Sequence, residues 1–392
     1  MIRTGLTAAA LAVAGAGAAV AGGVERSAQS MAILFEQGNY VEFGLSHSRP
    51  SVSGSLQTQM GSLPSGDMAR SFTTYNLGIK GDLTDELSYA FIIDEPIGAS
   101  VAYPTGTGYP IAGSNARIDS TALTGVLRYR FDGGFSAHAG IRAVRTQGQV
   151  ELVLPVPPDP QLGIPPGNII QYDMNTASDT AFGYLVGVAW ERPEIAARVA
   201  LTYNSRITHG FSATETTVFP AVLGGQTEVL QDGFRTTIPE SLQLEFQTGV
   251  AEGTLVFGSL RYVRWTQFDI SPTFYTRPAT PPAPPDGLDR DPLVSYDRNS
   301  LTWNLGVGRQ LNENWSGAVS VGYERKGGGE LGNLGPTDGF LSLGLGVTYR
   351  DGPIMVAGGL QYRKLGGGRT TLGADFDGNS AIGVGLRVGY RF

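Results

Sequence analysis

The chain has 392 residues, a formal net charge of −7 and no cysteine. Charged residues make up 16% and, past the first two dozen residues, no apolar run is long enough for a membrane helix, which excludes a helical membrane protein. No basic patch dominates, which argues against a nucleic-acid partner.

At the amino terminus Arg3 precedes an apolar run from Leu6 to Val20, and Ala19-Val20-Ala21 offers small residues for cleavage. This pattern predicts a signal peptide over 1–21 and a mature chain from Gly22, exported by a cleaved leader. Residues 22–38 form a short hatch-like segment before regular patterning begins, with Met31, Ile33, Leu34 and Phe35 as its apolar content.

From residue 39 to the end, period-two alternation predicts about fourteen strands. The first lies near 40–47, the second near 72–81 and the third near 87–94. Strands near 117–131 and 135–150 follow, then 181–190, 195–207, 241–250 and 254–268. The last five are the most regular, near 299–311, 315–325, 340–350, 353–364 and 379–392. In the terminal one, Ile382, Val384, Leu386, Val388, Tyr390 and Phe392 share one face, with glycines and arginines on the other. An oily outside, a polar inside and a chain ending on an aromatic predict an all-β fold, a transmembrane antiparallel β-barrel.

Connections alternate between short Asp-, Asn- and Gly-rich turns and long segments, including the proline-rich 154–176 and 277–296. Short periplasmic turns and long external loops fit a Gram-negative outer-membrane barrel. Aromatic residues such as Trp190, Trp315, Tyr349 and Phe392 fall near one set of strand ends, and Tyr203, Tyr262 and Tyr323 near the other, as interface girdles.

Several stretches carry a family likeness: Ser27 to Tyr40 leading into a strand ending Arg49-Pro50, Leu83 to Ser88, Asp94-Glu-Pro-Ile-Gly-Ala99, Ile238 to Gln243, Tyr262 to Phe268 and Leu311 to Trp315. In order and spacing they resemble the outer-membrane long-chain fatty-acid and hydrocarbon transporter family, the FadL/TodX type. The resemblance implies a fourteen-stranded barrel with an N-terminal hatch. It also implies passive transport of hydrophobic substrates, long-chain fatty acids or related hydrocarbons, with lateral release where the third strand kinks. The family's Asn-Pro-Ala hatch signature is not visible here. Expected partners are the ligand, outer-membrane lipid and the barrel-assembly machinery during biogenesis. A general diffusion porin for small polar solutes is the alternative.

Two sites follow from the residues. A carboxylate headgroup needs a cation in the lumen, and Arg142 and Arg261 sit near mid-strand on the inner face. Pro96 cannot donate to a ladder and Glu95 shares the parity of lipid-facing Phe91 and Ile93, so Asp94, Glu95, Pro96 and Gly98 mark a lateral opening. His47, His138 and His209 show no triad or metal-ligand spacing, so neither catalysis, a cofactor nor a metal is expected.

Overall fold

The computed structural model describes residues 23–161, 163–279 and 287–392. The proposed signal peptide, Gly22 and the middle of the second proline-rich run lie outside these residues. Within them the chain closes into a fourteen-stranded antiparallel barrel.

In chain order the barrel strands are β1 (Tyr40–Ser51), β2 (Phe72–Asp82), β3 (Leu87–Asp94 and Gly98–Ala102), β4 (Asn115–Arg130) and β5 (Phe135–Pro155). Next come β6 (Ile169–Thr176 and Asp179–Arg192), β7 (Ala197–Asn204 and Ile207–Val218), β8 (Thr227–Ile238 and Ser241–Ala251) and β9 (Thr254–Val263). The last five are β10 (Ser300–Gln310), β11 (Trp315–Glu324), β12 (Phe340–Asp351), β13 (Ile354–Leu365) and β14 (Ser380–Arg391). Each pairs with its sequence neighbour, and β14 closes on β1 from Tyr40↔Arg391 to Ser51↔Ser380. Closure removes the free edge that a bilayer would not tolerate.

The alternation read from the sequence holds on the wall. On β14 and β12 the outward Ile382, Leu386, Leu341 and Leu345 are exposed to the lipid side, while Ser342 and Thr348 are buried inside. The upper halves of β5 to β8 run farther than the lipid-facing pattern indicated: Ile169–Thr176, Ile207–Val218 and Thr227–Ile238 are strands. There the polarity inverts. On β7, Ile207, Phe211 and Ala213 are buried inside and Thr208, Ser212 and Thr214 are exposed outside. Toward the mouth the outer face turns polar and the inner face meets packed loops, so the pattern reverses.

The lumen is filled at both ends. Toward the short-turn end, Met31 precedes a single 3-10 turn, Ala32–Phe35, whose Met31, Ile33 and Leu34 are buried. At the mouth, one apolar cluster gathers Val52, Met68, Tyr103, Tyr109 and Phe376 from separate loops. A second gathers Tyr172, Met174, Phe219, Phe274 and Leu293. The loop between β9 and β10 reaches in through the short helix Thr273–Thr276. Buried Glu215 accepts the amides of Phe274 (3.0 Å) and Tyr275 (3.1 Å) and the Tyr172 hydroxyl (2.7 Å).

Candidate functional site

The inner arginines sit where period two puts them, and they meet the N-terminal segment. Arg142 on β5 donates to Thr124 Oγ1 (2.8 Å), Asn204 Oδ1 (3.2 Å) and Gln29. Arg261 on β9 donates through Nε to both Glu25 oxygens (3.0 and 3.1 Å) and through Nη1 to Gln243 (2.9 Å). They are 5% and 7% exposed. Both expected headgroup ligands therefore line the lumen, each with donors already engaged by residues 25–29. Sequence patterning did not single out Glu25 or Gln29, because that segment has no periodicity to assign its side chains a direction.

Between the plug and the mouth lies a cavity of about 280 Å³. Its wall includes Arg142, Arg261, Glu245, Arg363, Glu324 and Phe340. Arg363 stands out: its guanidinium lies 4.5 Å from the centre of the Phe340 ring and donates through Nε to Gln361 (2.8 Å). No carboxylate lies within ion-pairing distance of it among the described residues. Arg142 and Arg198 likewise have no ion pair among the described residues, whereas Arg128 and Arg391 do. Arg128 pairs with Glu191 and donates to the Leu34 carbonyl (3.0 Å), while Arg391 pairs with Glu36 (3.2 Å). Phe35 lies between Arg128 and Arg198, whose guanidinium carbons are 4.3 and 4.6 Å from its ring centre. Such cation–π contacts fasten the plug without desolvating a second charge.

The third strand is interrupted between Asp94 and Gly98. Pairing between β2 and β3 runs from Asp82↔Ser88 to Leu77↔Ile93 and stops. It is regained in the same register at Ala69↔Val101, with the Arg70 amide donating to the Ser100 carbonyl (3.2 Å). Between these points Ser71 to Asn76 faces Asp94 to Ala99 with no ladder. Pro96 has no N–H to offer, and Glu95 turns back so that its carboxylate accepts the Tyr75 amide (3.2 Å). That turn answers the cost of a lipid-facing charge.

The N-terminal segment fills this break from inside. Glu25 bridges Ile97, the Arg26 amide donates to the Pro96 carbonyl (2.8 Å) and the Gly98 amide to the Val24 carbonyl (2.8 Å). Ser27 Oγ donates to Asp94 (2.7 Å). The Arg26 guanidinium passes into the break, lies 4.7 Å from the Phe72 ring centre and comes within 3.8 Å of Asp119. Burial pulls the pKa of Arg26 down, opposed by the Asp119 and Glu95 carboxylates. All four residues expected at a lateral opening thus surround one interruption, and the same segment that fills it engages Arg142 and Arg261.

One arrangement was not legible from spacing. His209 places Nδ1 2.8 Å from Asp179 and Nε2 3.3 Å from the Thr146 hydroxyl. Thr146 itself is paired in the ladder on both sides, with Ser120 and Asp179. The trio ties the wall together. Among the described residues no group of ligating side chains could hold a metal ion.

The profile of the outer membrane protein transport protein family (OMPP1/FadL/TodX) matches residues 3–325. A Pseudomonas aeruginosa FadL homologue is similar in structure, with a TM-score of 0.75, 15% identity and coverage of 97% of this chain and 98% of that one. The Pseudomonas putida toluene transporter TodX superposes with a TM-score of 0.63 at 14% identity over 91% of both chains. The Ralstonia pickettii toluene transporter TbuX gives 0.62 at 14% identity, covering 98% of this chain and 97% of that one. No match was found among curated proteins. At such identities the structures speak for the fold, and the profile speaks for the family: the chain belongs to the OMPP1/FadL/TodX family of outer-membrane transport proteins, whose members are channels and not enzymes.

Proposed function

We propose that this barrel passively carries hydrophobic substrates, long-chain fatty acids or related hydrocarbons, and releases them sideways through the β2–β3 break. The observation that supports it best is the break itself, filled from inside by Val24 to Ser27 and opening off a cation-lined cavity. A ligand arriving from the mouth would rest in the cavity with an acidic head against Arg261, Arg142 or Arg363. Its tail would leave through the wall once the N-terminal segment moves aside. The relatives named for toluene transport favour an apolar cargo, and the apolar mouth clusters suit one. A hydrated porin is less well supported, since plug and loops occupy both ends of the lumen.

In this reading residues 1–21 are the cleaved leader, 22–38 the hatch and 39–392 the barrel. Outer-membrane lipid and the barrel-assembly machinery are the partners during and after biogenesis.

The test is to replace Asp94 to Gly98 by Thr-Val-Thr-Val-Thr, which restores donors and alternation to the third strand. The expected outcome is a barrel that folds as well or better while uptake of a hydrophobic tracer falls several-fold. Unchanged uptake in a folded variant would place the exit elsewhere.

A further inference from the structure

The wall contains a second interruption, built like the first. Pairing between β6 and β7 holds from Arg192↔Ala197 to Leu185↔Asn204. It resumes, in the same register, at Thr176↔Ala213. The ends of the gap are tied by the Ser205 amide to the Tyr184 carbonyl (2.9 Å) and the Ala177 amide to the Ser212 carbonyl (2.9 Å). Between them Ser178 to Gly183 faces Arg206 to Phe211 without a ladder, six residues against six, as at β2–β3. Each strand stays paired on its other side, with β5 and with β8. The two strands therefore bow apart and rejoin; neither ends.

The parallel extends to the side chains. At the first gap Glu95 takes the Tyr75 amide; at the second, the Asp179 carboxylate takes the Gly210 amide (3.4 Å) and the His209 ring (2.8 Å). At the first gap Ile97 turns inward; at the second Ile207 does, and it is 4% exposed. Most tellingly, the two isoleucines belong to one apolar cluster with Val24 of the N-terminal segment, Ala122, Val144, Ile238 and Trp265. The residue that fills the second gap thus shares its apolar cluster with the segment that fills the first.

Outside, the second gap carries Phe182 and Tyr184, 72% and 54% exposed, at its lower end with the exposed Arg206 beside them, while the exposed Arg145 of β5 flanks its upper part. Arg145 reaches across to Ser178 (2.8 Å). Two aromatic rings at the lower end, with cations beside them and on the flank, suit an amphiphile with an anionic head lying at the outer-leaflet interface.

We propose that the β6–β7 gap is a second lateral port, through which amphiphiles with an anionic head pass between the outer leaflet and the lumen. It opens when the cluster shared by Val24, Ile97 and Ile207 loosens. The proposal rests on the reading of the β2–β3 break as a lateral route, so its test must separate the two.

The chain has no cysteine, so single thiols report cleanly. Ile207→Cys, Ile97→Cys and Ala357→Cys are reconstituted into liposomes and treated with N-cyclohexylmaleimide, which partitions into the bilayer, or with a charged maleimide in the water. Ala357 is 1% exposed on β13, paired on both sides, and serves as the closed-wall reference. The expected result is that Ile207→Cys and Ile97→Cys react with the lipid-borne reagent at least tenfold faster than Ala357→Cys, and that Val24→Ser speeds both together. If Ile97→Cys reacts but Ile207→Cys matches Ala357→Cys, the second port is refuted and the first stands. If neither reacts, both readings fall. Labelling of Ile207→Cys by the charged reagent alone would also refute the port, since the gap would then be reached only from lumen water. Ala181→Cys, on the facing strand and against the same cluster, replaces Ile207→Cys should that variant lose the heat-modifiable gel shift of a folded barrel.

Discussion

Arg142 and Arg261 point into the lumen because a strand sends alternate side chains to opposite faces, and that much follows from counting. Their partners do not follow from counting. Glu25 and Gln29 reach them from a segment without strand or helix periodicity, and only the folded chain brings positions 236 residues apart into contact. The pairing sharpens what substitution should do. A guanidinium meeting a carboxylate in a water-poor cavity contributes about 1.5–3 kcal/mol. Arg261→Ala should therefore weaken oleate binding roughly ten- to a hundred-fold and leave an uncharged hydrocarbon nearly unaffected, if the ligand's carboxylate takes over from Glu25. Equal losses for both ligands in a titration would assign Arg261 to holding the plug. Arg142, Arg198 and Arg363, which line the same cavity without an ion pair among the described residues, would then be the cations to test.

Among elements, the third strand was the most legible, because proline and a misplaced charge both break its alternation. The upper halves of β6 to β8 were the least. A search for apolar residues facing outward ends where the membrane ends, although the strands continue with polarity reversed, as Ile207–Val218 shows. The loop between β9 and β10 was read as a proline-rich surface segment, and its described part holds the short helix Thr273–Thr276 and the paired Asp269–Ile270 and Val294–Ser295. Its anchor, Glu215, was hidden on an extension of β7 not recognised as strand. Glu215→Ala should orphan the amides of Phe274 and Tyr275, at about 1–3 kcal/mol for an unsatisfied buried donor. Limited proteolysis should then cut 264–299 several-fold faster while the barrel stays folded; an unaltered cutting rate would mean that the apolar cluster alone holds the loop.

At the scale of the whole molecule, a barrel wall, a filled short-turn end and a packed mouth leave a small inner cavity bordered by the β2–β3 break. Fold class and strand number came from a single repeated physical requirement, an apolar outside and a polar or small inside. The interruptions in the wall's pairing lie where the regular strand pattern fails; proline marked one of them and nothing in the local pattern marked the other. Such an enclosure suits cargo that partitions into lipid and hinders hydrated solutes. The direct measurement is flux in liposomes containing the purified barrel, with labelled oleate and a small labelled sugar in parallel. Oleate delivery should exceed protein-free vesicles by at least tenfold while sugar flux stays at the background rate. Sugar flux well above background, with no acceleration of oleate, would contradict a hydrophobic channel and make the protein a porin.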